Sequence, residues 1–185
     1  MGKLQFLRPA LLFGILAGLL CFGYFLALYY AGAGPLSPRR NLSLVFIWIC
    51  MALAVRQFSR SVRRPIHFLE GFGICVVVVL LACLLDGLLV VGFIQKIDPE
   101  LIGRTIAEFK RQVLLDQGRV SEQFGNNRDG LPVDFNDVLR RIGEINLRSI
   151  FWSNFTFVRL VLSFMYSALV AVFFRRMSMI SNDNP

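Results

Sequence analysis

Three stretches of this chain stay apolar for longer than a water-soluble fold tolerates, and a fourth approaches that length. Pro9 to Ala31, Ile66 to Ile94 and Ile150 to Phe174 are long runs, and Asn41 to Val55 is a shorter one. A soluble domain spreads its apolar residues in helical or alternating periods, whereas these are nearly continuous. About 20 helical residues cross the hydrocarbon core of a bilayer. The pattern therefore predicts an all-α protein, a polytopic four-helix transmembrane bundle with spans at about 9–31, 38–58, 66–94 and 150–174. Residues 95–149 form an extramembrane helical insert between the third and fourth spans.

Composition agrees, since 56% of the 185 residues are hydrophobic and the mean hydropathy is +0.61. Lys and Arg outnumber Asp and Glu by 20 to 12, a balance that in a soluble protein would suggest nucleic acid. Position argues against that partner. Lys3, Arg8, Arg56, Arg60, Arg63, Arg64, Arg175 and Arg176 all flank apolar runs, where cationic anchors meet the anionic headgroups of a cytoplasmic leaflet. Arg56, Arg60, Arg63, Arg64, Arg175 and Arg176 are read as a lipid-facing basic cluster. Both termini are then cytoplasmic, in a bacterial inner membrane. The small residues Ala31-Gly32-Ala33 resemble a signal-cleavage site, but the run before them exceeds the roughly 7–15 residues of a signal core, so it is read as an uncleaved anchor.

The second run is the weakest, being strictly apolar for only about 14 residues. Ser37-Pro38 can lengthen it as a helix start and Phe58 at its other end. The third is long, about 43 Å at 1.5 Å per residue, so tilt or protrusion is expected. The insert from Lys96 to Arg148 carries nine basic and nine acidic residues and does not decide orientation.

Within the insert, Asp98-Pro99-Glu100 is a helix-start signal and Gly118 is placed to stop the helix, which predicts one from Pro99 to Gln117. Ile102, Ile106, Phe109 and Val113 lie at steps of four, three and four on one stripe, a candidate interface for a partner. A second helix is expected over Asp134 to Leu147, with a flexible tip at Gly125 to Pro132. The stripes can pack on each other, on the membrane interface or on a partner protein.

Asp86 and Arg159 are the charges deep inside spans, and intramembrane charges are costly enough to mark a site. They lie about 12 and 13.5 Å from the outer ends of their runs. Three readings stand: a structural ion pair joining the third and fourth spans, a polar path for an ion, or two groups facing an outer vestibule. His67 and Glu70 are three apart and share a helix face, but with a single histidine in the chain they make no zinc site. Cys21, Cys50, Cys75 and Cys83 lie in apolar runs without paired spacing and read as small buried hydrophobes. No phosphate-cradling glycine loop, nucleophile elbow or zinc helix occurs. Neither catalysis nor a cofactor or metal is expected.

Phe68-Leu69-Glu70-Gly71-Phe72, opening the third span, and Ile97-Asp98-Pro99-Glu100-Leu101-Ile102, leaving it, carry a resemblance. With the four-span layout, the chain resembles the domain-of-unknown-function 4199 family, small bacterial membrane proteins found largely in Bacteroidetes. The resemblance implies no activity. The expectation is a non-enzymatic inner-membrane accessory or assembly subunit that binds a membrane-protein partner or its own copies. The alternative is a small oligomeric transporter or channel that uses Asp86 and Arg159.

Overall fold

A computed structural model describes residues 7–62, 67–124, 135–144, 146–153 and 155–182. The described residues are helical or in turns, with no strand among them. The helices are α1 (Leu7–Tyr30), α2 (Leu44–Ser61), α3 (Phe68–Lys96), α4 (Leu101–Phe124), α5 (Phe135–Gly143), α6 (Leu147–Ser153) and α7 (Phe157–Asn182), with a 3-10 helix at Pro38–Ser43 before α2. Two compact units result, one of Met1–Val90 with Phe151–Pro185 and one of Val91–Ile150.

Among the described residues, three helices are long and apolar enough to cross a membrane, at Leu7–Tyr30, Arg39–Ser61 and Phe68–Lys96; Arg159–Phe174 is a shorter apolar helix. The chain is thus an all-helical membrane protein. In the first unit the usual distribution of polarity is inverted. Buried Asp86, Arg40, Arg159, Ser43, Ser163 and Ser167 lie inside, while leucines of α1, α3 and α7 face out. Water would reject that surface and lipid accepts it, because tails are as apolar as leucine.

The buried face of α1 runs Ala10, Gly14, Ala17, Gly18, Cys21, Phe25, Leu28. Its small residues let α3 approach closely: a methyl on Gly18 would lie 2.9 Å from Leu85 Cβ, and one on Gly14 2.8 Å from Leu81 Cδ2. Small residues recur at membrane helix interfaces for this reason. The helix closes at Gly32, whose φ is +65°. Gly32 N–H bonds the carbonyl of Tyr29, and Ala33 N–H that of Leu28. This paired closure needs a left-handed residue, and glycine adopts it without strain.

The second crossing differs from the uninterrupted α-helix expected from Ser37-Pro38. Pro38–Ser43 is 3-10 and only then does α2 begin. The tighter helix rises about 2 Å per residue against 1.5 Å, so the segment reaches about 39 Å in total. A run too short as pure α-helix is therefore extended by its entry turn. The remaining elements lock through aromatics: Trp48 of α2 stacks on Tyr166 of α7 at 5.0 Å, and Phe72 of α3 meets Phe164 of α7 at 6.4 Å. All four cysteines are free and buried, in the core of small and branched residues where the sequence put them.

The fourth apolar run is not one helix either. α6 opens on a reciprocal cap, with Asn146 Oδ1 accepting from Ser149 N–H and Ser149 Oγ from Asn146 N–H, both at 2.9 Å. It ends at Ser153, whose carbonyl takes the hydroxyl and the N–H of Thr156. Hydroxyl side chains that bond nearby backbone compete with the helix ladder, which accounts for the interruption. Asn154 lies outside the described residues.

In the second unit α4 continues to Phe124 instead of ending at Gln117. An interior glycine costs only about 1 kcal/mol against alanine, and the apolar period resumes in the sequence at Val120 and Phe124. Helix α4 begins at Leu101, two residues later than expected, after a turn in which Leu101 N–H bonds the Asp98 carbonyl; the Asp98 carboxylate pairs with Arg104. Helix α5 packs on α4 and brings Gly143 beside the Lys110 ammonium. Its end at Gly143 is earlier than the Leu147 expected, because the cap of α6 intervenes. The expected tip, Gly125 to Pro132, lies outside the described residues.

Candidate functional site

The buried charges of the first unit converge on one place. Asp86 stands ten residues before the end of α3, about 15 Å along the helix, and is 1% exposed. A carboxylate so placed needs a cation, and Arg40 supplies it from the 3-10 turn, with Nη2 2.7 Å from Asp86 Oδ2. The same guanidinium lies 5.6 Å from the centroid of the Phe25 ring on α1, within reach of a cation–π attraction. Arg159 of α7 donates from Nη2 to Ser43 Oγ at 3.0 Å. Ser43 also receives, at its carbonyl, the Cys21 thiol of α1 at 3.5 Å. One cluster thus ties α1, the 3-10 turn, α3 and α7.

An ion pair of Asp86 with Arg159 is one of the three readings that the sequence leaves open. The structure places them in one cluster, but the salt bridge of Asp86 runs to Arg40, and Arg159 holds Ser43. By sequence Arg40 falls in the short Gly- and Pro-rich turn between the first two apolar runs. The 3-10 geometry turns it inward, which a 3.6-residue period does not reveal. One signal was available: Arg40 stands two residues after the Pro38 that starts a short span.

Among the described residues, Asp86 Oδ1, Arg40 Nε and Ser163 Oγ have no hydrogen-bond partner. Ser167 instead donates back to the Ser163 carbonyl at 2.7 Å. These groups hold no nucleophile beside a base, and no cluster of three metal-ligating side chains occurs among the described residues. What the arrangement does chemically is hold four elements by charge-assisted hydrogen bonds where little water competes.

The other sequence candidates are dispersed. Arg56 and Arg60 are exposed in the last turns of α2, Arg175 and the exposed Arg176 lie within α7, which continues to Asn182, and Arg63 and Arg64 fall outside the described residues. Glu70 Oε2 accepts the His67 N–H at 3.3 Å and so helps to cap α3. In the second unit Ile102, Ile106, Phe109 and Val113 are half-buried on α4, while Leu114 and Leu115 are 56% and 60% exposed.

A family profile described as protein of unknown function (DUF4199) matches residues 12–176. No curated protein and no solved structure matches the chain.

Proposed function

The chain belongs to the DUF4199 family of membrane proteins of unknown function, and from that premise we propose that it is a non-enzymatic, partner-binding subunit with four membrane crossings. Supporting the fourth crossing is the surface of α7, where Met165 and Leu169 are 62% and 67% exposed opposite buried Arg159, Ser163 and Ser167. A helix with apolar residues outside and polar ones inside is at home in lipid. Both termini then lie on one side, the cytoplasmic side of a bacterial inner membrane. Fluorescent or alkaline-phosphatase reporters fused at residue 185 and within the 125–132 segment test this. They are expected to report opposite sides; the same side for both overturns the fourth crossing.

The observation that carries partner binding is the exposure of Leu114 and Leu115 on a helix too charged to cross a membrane. They stand about 100° and 200° round α4 from the half-buried stripe that includes Val113. Two adjacent leucines on water-facing helix surface suit a protein contact. Solubilised in mild detergent at native expression, the chain is expected in a complex larger than a single copy. A Leu114→Ser, Leu115→Ser variant is expected to release it with its helix content unchanged. A wild-type chain that migrates alone and monomeric contradicts the proposal. The direct Arg40–Asp86 bond favours a structural cluster over the conducting path of a transporter, since the carboxylate is already engaged by a cation of its own chain.

A further inference from the structure

At the end of the first unit where α1 begins and α2 stops, the two helices leave a cavity of about 490 Å³ lined by Arg8, Pro9, Leu12, Gln57 and Ser61. Its chemistry changes along the helix axis. Arg8, Gln57 and Ser61 form an exposed polar rim, Pro9 is buried as the floor, and Leu12, one turn deeper, is exposed on the lipid-facing side. Arg8 has no carboxylate partner among the described residues. Gln57 can donate from its amide. Ser61 directs its hydroxyl proton to the Phe58 carbonyl at 2.8 Å and so offers lone pairs to the groove. Arg60 precedes Ser61 on the same turn, and Arg56 is also exposed at this end of α2.

We infer that this groove seats the phosphate of an anionic phospholipid, with the guanidinium of Arg8 on the phosphate and the first acyl carbons against Leu12. Charge selects an anion, and guanidinium matches phosphate geometry in a way that a diffuse surface potential does not. The apolar wall selects the source. A soluble phosphate ester gains nothing from Leu12, whereas a lipid already has its chain there and its headgroup at the level of the rim. Basic pockets between membrane helices take anionic headgroups on these terms. The inference rests on the membrane location of α1 and α2, not on partner binding, and the two can fail separately.

The test is native mass spectrometry of the full chain in detergent, with added dioleoyl phosphatidylglycerol, dioleoyl phosphatidylcholine or glycerol 3-phosphate. One phosphatidylglycerol is expected to be retained in preference to phosphatidylcholine, and glycerol 3-phosphate not to be retained. Arg8→Gln is expected to weaken retention about fivefold, the loss of one basic residue near a headgroup. Gln57→Glu, which puts a carboxylate in the groove, is expected to weaken it as well, and Arg111→Gln, on the exposed surface of α4 and outside the groove, to leave it unchanged. Equal weakening by Arg8→Gln and Arg111→Gln, equal retention of the two lipids, or retention of glycerol 3-phosphate alone would each overturn the inference.

Discussion

Asp86→Leu is expected to cost about 3–5 kcal/mol, because it strands the Arg40 guanidinium in a site that excludes water. In a chain of this size that corresponds to a fall in Tm on the order of 10 °C. Arg40→Met is expected to be milder, since the Asp86 carboxylate then still lies in a cluster that holds Arg159. The double variant Arg40→Met, Asp86→Leu replaces the pair with side chains of similar volume, and such replacements are often neutral or stabilising. It should therefore recover most of the loss caused by Asp86→Leu. The four buried cysteines provide the readout, as a thiol-reactive fluorophore labels them only when the bundle opens. A double variant as unstable as the sum of its single variants would mean that the two residues are not coupled.

The same cluster shows where sequence reasoning reached and where it stopped. Spans one and three were legible because an apolar run of more than 20 residues permits few folds other than a crossing. The short second run was legible only as a problem, since nothing in its composition distinguishes an α from a 3-10 entry. That choice decides whether Arg40 faces water or Asp86. Forty-six residues separate the two partners, and a pairing at that range follows from which helices become neighbours, not from any local period. Asp86 and Arg159 were found because a charge inside an apolar run is conspicuous by itself. Ser43 was not, because a serine there is unremarkable until a guanidinium points at it. The stripe on α4 was read from its spacing, whereas the end of that helix was misplaced because Gly118 weakens a helix without stopping one.

The closeness of α1 to α3 was equally invisible in a run of uniform hydrophobicity, and it sets up a second large effect. Gly18→Ala is expected to destabilise the bundle by about 1–3 kcal/mol, the usual penalty for overpacking a filled interface. The added methyl would sit 2.9 Å from Leu85 Cβ and 3.0 Å from its Cδ2. The Cδ2 can move by a change of rotamer, but the Cβ is fixed to the backbone of α3, so the two helices must separate. Gly23→Ala on the same helix is the control. Its added methyl meets nothing within 4 Å, so the better helix propensity of alanine should stabilise the chain by up to about 1 kcal/mol. The two substitutions are chemically identical, and their opposite signs in the thiol-labelling melt would come from α3 alone. Leu85→Ala introduced with Gly18→Ala frees the Cδ2 clash but keeps the Cβ, and should recover only part of the loss. If Gly18→Ala proves as stable as Gly23→Ala, α1 and α3 do not meet at Gly18.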